Sequence, residues 1–186
     1  MNPFVICETG IVGLQLVRRQ PNVDIRGSFE RLFCQDELNE FLRFKGIRQV
    51  NRSYTKNVGT VRGMHYQCPP HAEIKMVTCL KGEVWDVAVD LRQGSPTFLE
   101  WRGEVLTESN NATLLIPEGF AHGFQTLTSN CELVYFHTTS YVATSEGALN
   151  ALDPRLAIDW PKTITTRSER DSSHPMLSDD FKGIEL

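Results

Sequence analysis

The chain has 186 residues, a length that suits one hydrophobic core and is short for two, so a single domain spanning 1–186 is expected. Its 40% hydrophobic and 23% charged content is that of an ordinary globular protein, and no run approaches the ~20 apolar residues of a membrane-spanning helix. A net charge of -4, with the Lys and Arg scattered, excludes a general attraction to nucleic acid and leaves room only for a local cationic pocket, of the kind that holds a small diphosphate.

From the N-terminus, Met1-Asn2-Pro3-Phe4-Val5-Ile6-Cys7-Glu8 has no basic residue and carries an acid where an apolar signal core would lie, which argues against a signal peptide and for the cytoplasm. Short runs rich in Val, Ile, Phe and Thr recur from residue 11 to 141, broken by Gly, Pro, Asn or Ser, the pattern of an all-β sandwich or barrel. One short helix is expected from Asp36 to Lys45, where Leu38, Phe41, Leu42 and Phe44 or Lys45 share a stripe and Asp36 can cap it. Met76–Leu80 and Val84–Leu91 flank Lys81-Gly82-Glu83, which predicts an antiparallel hairpin. On its second strand the two-residue period puts Asp86, Ala88 and Asp90 on one face and Val87, Val89 and Leu91 on the other. Asp90, beside the turn Leu91-Arg92-Gln93-Gly94-Ser95-Pro96, is expected in solvent; mid-strand Asp86 needs a histidine or lysine partner, because a buried carboxylate left unpaired is costly. From Asp153-Pro154 onward the pattern loosens, and the polar stretch Lys162–Asp171 is expected to lie over the sheet as an irregular flap.

Five cysteines, Cys7, Cys34, Cys68, Cys79 and Cys131, are an odd number without C-x-x-C spacing, so they are read as reduced and structural. Two histidines stand in Gly-flanked β contexts: His65 in Arg62-Gly63-Met64-His65-Tyr66-Gln67, and His122 in Ile116-Pro117-Glu118-Gly119-Phe120-Ala121-His122-Gly123-Phe124. Either suits a base, an acid or a ligand. Metal-binding cupins offer H-x-H, a nearby glutamate and a distant third histidine. Here position 67 is Gln, which leaves only a weaker set of His65, Glu73 and His122, and no metal is expected. Lys75 opens a strand among apolar residues, either as a pocket cation or as a strand-end lysine reaching water.

Taken together, Asp24-Ile25-Arg26-Gly27-Ser28-Phe29-Glu30, Gln49-Val50-Asn51-Arg52-Ser53, Val61–Gln67, Asp86–Arg92, Ser95-Pro96-Thr97-Phe98 and Ile116–Phe124 follow one another in the order and spacing of the dTDP-4-dehydrorhamnose 3,5-epimerase family. The chain resembles that family from Asp24 to Asp171. The resemblance implies a cupin jelly roll, a site inside the barrel, no metal or organic cofactor, a nucleoside-diphosphate sugar as substrate, and a homodimer with exchanged N-terminal strands. It makes His65 the general base, oriented by Asp171, Tyr135 the general acid, and Lys75 the cation beside the C4 oxygen. Arg26 and Arg62 match diphosphate-binding positions, and Glu30, Gln49, Asn51, His122 and Tyr141 match other pocket positions, with Asp86 in support.

These residue types suit the chemistry the resemblance implies. A hydrogen beside a C4 ketone is acidic only because the anion delocalises onto the oxygen, so catalysis needs a base near neutral pKa, a cation at that oxygen, and a proton returned to the other face. Arg62 and His65 are three apart, so a regular strand would part them; a bulge or twist at Gly63 brings both inward. Ala148-Leu149-Asn150-Ala151-Leu152 departs from the family by lacking its tryptophan, which leaves open whether C3, C5 or both are inverted. Retention of His65, Lys75, Tyr135 and Asp171 together argues against a binding-only cupin, and the missing H-x-H disfavours a metal-dependent oxygenase.

Overall fold

A computed structural model describes residues 3–186; Met1 and Asn2 of the N-terminal run lie outside the described residues. In chain order the strands are β1 (Phe4–Glu8), β2 (Gln15–Arg19), β3 (Asn22–Asp24), β4 (Gly27–Phe29), β5 (Gln49–Thr55), β6 (Val61–Gln67) and β7 (Lys75–Lys81). They continue as β8 (Glu83–Asp90), β9 (Trp101–Thr107), β10 (Ala112–Ile116), β11 (Phe120–Thr126), β12 (Cys131–His137) and β13 (Glu146–Ala148). Two short helices accompany them, α1 (Gln35–Leu38) and α2 (Glu169–Ser173). Six strands form one sheet in the order β1-β2-β10-β7-β12-β5, five form the other as β13-β6-β11-β8-β9, and β3 with β4 makes a separate small hairpin. Every pairing between these strands is antiparallel. This is the jelly roll of the cupins. β1 and β13 extend the strand region at both ends beyond the expected residues 11 to 141.

Alternation on the strands places the cores. Val77 and Cys79 of β7, Val84 and Ala88 of β8, Leu106, Leu114, Phe124 and Leu133 meet between the two sheets. On the outside of the five-stranded sheet, Val87, Val89, Leu91 and Ala121 are covered by Leu149, Ala151, Leu156, Leu177 and Ile184 of the C-terminal segment. Outside the six-stranded sheet, Val17, Met76 and Leu115 pack on Leu38 and Leu42. Burying each of those two leucines stabilises the fold by about 1.5–3 kcal/mol. Among the described residues no helix is long and apolar enough to cross a membrane.

The structure corrects three local expectations. The strands on either side of Gly82 do not form a hairpin: β7 pairs with β10 and β12, and β8 with β9 and β11, so the turn carries the chain from one sheet to the other. The turn signal is genuine, since Gly82 has φ +77, but β8 is buried on both faces and finds its partners in the second sheet. The helix expected from Asp36 to Lys45 stops at Leu38, its N-cap position is Cys34, and the left-handed backbone at Arg43 and Phe44 breaks the stripe and turns Phe44 outward. Asp90 is buried rather than in solvent, because the turn after β8 folds back over it: Arg92, Ser95 and Thr97 all donate hydrogen bonds to its carboxylate.

Candidate active site

Between the open ends of the two sheets lies a cavity of about 820 Å³, whose lining includes Asn51, Arg62, His65, Lys75, His122, Tyr135 and Asp171. A second space of about 580 Å³ shares Asn51, His65 and Lys75 with it and adds Gln49 and Tyr141. Together these two spaces collect nine of the twelve residues that the resemblance assigns to the site. Asp86 lines neither space; it is buried and held by His122, which lines the first. Arg26 and Glu30 lie elsewhere: Arg26 is on the β3–β4 hairpin, bound to Asp24, and Glu30 accepts from Arg19.

His65 and Arg62 share the cavity because β6 carries an extra residue. His122 of β11 pairs with His65, but Phe124, two residues on, pairs with Arg62, three residues back. The bulge centres on Gly63 at φ +126, where a Cβ would lie 2.6 Å from the Gly123 Cα and 2.8 Å from the His122 carbonyl oxygen, so only glycine fits.

Asp171 arrives from the far end of the chain. The segment expected as an irregular flap, Lys162–Asp171, runs into α2, whose N-cap Ser168 accepts from the Asp171 amide at 2.9 Å. The carboxylate then takes the His65 Nε2–H at 2.8 Å on one oxygen and the Gly63 N–H at 3.3 Å on the other. Burial works to raise Asp171, but the hydrogen bond and charge of His65, with the Gly63 amide, outweigh it and hold the carboxyl below its ordinary value. With Nε2–H committed to Asp171, the free lone pair of neutral His65 is on Nδ1. The His65 side chain is 34% exposed and that of Asp171 only 7%, so the imidazole is reachable while its carboxylate is shielded.

Tyr135 belongs to β12 in the opposite sheet. Burial pushes its phenol well above the ordinary value, against the lowering effect of a 3.0 Å hydrogen bond with Ser53, so it stays protonated throughout the neutral range. Lys75 opens the neighbouring strand, β7. It is not a strand-end lysine in water: its side chain is 12% exposed and lies 3.2 Å from Glu73. His122 Nε2–H reaches both oxygens of Asp86 at 3.0 Å, and burial, only partly offset by that carboxylate, pushes the imidazole down and keeps it neutral. Asp86 thus finds the histidine partner its mid-strand position requires.

The weaker metal set does not assemble. Glu73 is taken by Lys75 and by His137, whose Nδ1 lies 2.7 Å away, and His122 is taken by Asp86. Among the described residues the grouping with ligand atoms within 4.8 Å of one another is His65, Asp171 and His174, and there His65 and Asp171 already bond each other. Lining residues with chemistry that the sequence reading missed include His137, Glu146, Arg167 and Arg170. Arg170 is paired to Glu146 across the second space. His137 had a signal, since it stands two residues beyond Tyr135 and so shares its face.

The chain matches known proteins along nearly its whole length. The family model of dTDP-4-dehydrorhamnose 3,5-epimerase matches residues 8–179. The chain belongs to this epimerase family. It is an isomerase, and its reaction is the epimerisation of a dTDP-4-keto-6-deoxyhexose. The dTDP-4-dehydrorhamnose 3,5-epimerase of Sinorhizobium fredii is 40% identical over 168 residues, covering 90% of this chain and 86% of the relative. The 3,5-epimerase structure from Legionella pneumophila, solved in complex with dTDP-4-keto-L-rhamnose, superposes with a TM-score of 0.91 at 36% identity and 98% coverage of both chains. The Bacillus anthracis enzyme, solved with TDP and pyrophosphate bound, gives a TM-score of 0.90 at 36% identity, covering 94% of this chain and 99% of that one.

Proposed function

We propose that this epimerase inverts the carbons on both sides of the C4 ketone, with His65 as base, Tyr135 as acid and Lys75 as the cation at the C4 oxygen. The observation that carries the assignment is the placement of His65 and Tyr135 on strands of opposite sheets facing one cavity. Nδ1 of His65 takes a proton from C3 or C5, the electron pair of the C–H bond forms a double bond to C4, and the carbonyl π pair moves onto the oxygen. The Lys75 ammonium stabilises the resulting enolate. Asp171 stabilises the imidazolium and fixes the ring. When the enolate collapses, the Tyr135 O–H delivers a proton to the carbon from the other side, and Ser53, bonded to the phenol, is placed to help return one from solvent. The imidazolium proton leaves to water, which closes the balance.

Arg62 on the cavity wall suits the diphosphate, since its planar fork matches phosphate oxygens. Arg26 sits on a hairpin whose Val23, Ile25 and Phe29 are exposed, an apolar surface for a second copy of the chain. β5 is an edge strand beside the cavity. The functional unit is therefore read as a homodimer in which each hairpin brings Arg26 to the partner's cavity. The sugar product would enter a surface polysaccharide or another glycosylated product, and the place of action is the cytoplasm.

The test is incubation with dTDP-4-keto-6-deoxyglucose in deuterium oxide, followed by NMR. Wild type should carry label at C3 and C5. His65→Ala should lower exchange by about 10²–10⁴-fold, and Tyr135→Phe should keep exchange while losing inversion. Exchange at the wild-type rate in His65→Ala would sink the base assignment, and label at one carbon alone would make the enzyme a mono-epimerase.

A further inference from the structure

We propose that Glu73 and His137 are a positioning pair for Lys75, and that His137 Nε2 also accepts a hydrogen bond from the hydroxyl on C3 of the sugar. This rests on the reading above, in which Lys75 meets the C4 oxygen.

His137 and Lys75 are directly opposite each other across the β12–β7 ladder, so their side chains share the inner face. Glu73 closes the gap between them with one oxygen each: Oε1 lies 3.2 Å from Lys75 Nζ and Oε2 lies 2.7 Å from His137 Nδ1. All three side chains are 11% or 12% exposed. Burial works to raise Glu73, but the hydrogen bond from His137 and the charge of Lys75 prevail and keep it ionised. A lysine ammonium is a mobile donor on a flexible stem, and a fixed anion held from its other side by an imidazole removes that mobility. One ammonium proton goes to Glu73 and the others remain for the cavity.

The same arrangement sets what His137 offers a ligand. Because Nδ1–H donates to Glu73, the neutral ring has its lone pair on Nε2. Among the described residues that atom has one hydrogen-bond contact, a long one 3.4 Å from the Asn51 amide nitrogen, which a ligand hydroxyl can replace. His137 lines both spaces of the site, next to Lys75 and Asn51. A 4-keto-6-deoxyhexose has a methyl-bearing carbon on one side of the ketone and a hydroxyl-bearing carbon on the other. The hydroxyl on C3 is thus the donor that stands beside the oxygen Lys75 holds.

The experiment measures kcat and KM for solvent deuterium exchange in Glu73→Gln, His137→Val and His137→Gln, with the 4-keto-6-deoxyglucose nucleotide and with its 3-deoxy analogue. Glu73→Gln should lower kcat by up to about 100-fold with KM nearly unchanged, since a misplaced Lys75 fails the enolate more than the ground state. His137→Val should raise KM about 10-fold for the 3-hydroxy substrate and leave it unaltered for the 3-deoxy analogue, with His137→Gln restoring most of the loss. An unchanged kcat in Glu73→Gln, or equal KM penalties for the two substrates, overturns the proposal. If Glu73→Gln does not fold, Glu73→Asp gives the same split. Wild type that fails to exchange overturns the epimerase roles rather than the pair, which is read separately from ¹⁵N NMR of the His137 ring: an Nδ1–H tautomer supports the Glu73 link and an Nε2–H tautomer overturns it.

Discussion

Asp86 and Asp90 stand four residues apart on β8, both fully buried, and each meets burial with a different partner. Asp86 receives an imidazole N–H from across the ladder; Asp90 receives a guanidinium and two hydroxyls from its own turn. For Asp90 burial works to raise the carboxyl, but the hydrogen bonds from Arg92, Ser95 and Thr97 prevail and hold it below its unfolded value. The stability it contributes is therefore full above the unfolded carboxyl range near ~3.9 and is lost as pH falls through the folded value. Asp90→Ala should cost about 3–5 kcal/mol in urea unfolding at neutral pH, because it leaves Arg92 without its buried partner. The same variant should show a flatter stability profile between neutral and acid pH. At this scale His65 and His122 were legible from their Gly-flanked β contexts, and both line the cavity; Tyr135 and Asp171 entered only through the resemblance. The burial of Asp90 was not legible, because a Gly-Ser-Pro turn carries the same signature whether it points into water or folds back on a carboxylate. Arg26 and Glu30 were matched by position in the resemblance, yet within this chain Arg26 lies on the exposed β3–β4 hairpin and Glu30 on Arg19, both away from the cavity.

Gly63 shows how an element, rather than a residue, builds the site. The spacing of Arg62 and His65 required an irregular strand, and the extra residue on β6 supplies it against Gly123 of β11. Gly63→Ala should destabilise the protein by about 1–3 kcal/mol, read as a lower unfolding midpoint, and should abolish deuterium exchange beyond what the stability loss explains. Exchange at the wild-type rate in the folded variant would mean that the bulge does not set the position of His65. The step from β7 to β8 was misread for the opposite reason. A glycine turn between two β-rich runs predicts a bend, and the bend is there, yet pairing is decided by which faces must be covered. α1 was overestimated because Leu38 and Leu42, four apart, satisfy both a helix and the turn that ends it.

The whole molecule is read as a dimer in which hairpin and cavity belong to different copies, and subunit mixing tests that. Arg26→Ala and His65→Ala should each be impaired alone, but mixed and re-associated they should regain about a quarter of the wild-type sites, because half the dimers carry one complete cavity. No recovery on mixing would place Arg26 outside the partner's site. The jelly roll itself was legible from strand spacing and motif order. The covering of the five-stranded sheet by residues 149–184 was only partly so, since apolar residues there are spread through loops without a period.

That covering has a temporal side. His65 and Asp171 are 106 positions apart, and the C-terminal segment that carries Asp171 packs on the outside of the five-stranded sheet, so their contact is expected to form after that sheet. Loop closure over such a span is among the late events for a topology rich in distant pairings. On dilution from denaturant, the circular dichroism of the sheets should recover before exchange activity does. During that interval the population would be folded by spectroscopy and silent by assay, a cavity in which His65 still waits for Asp171.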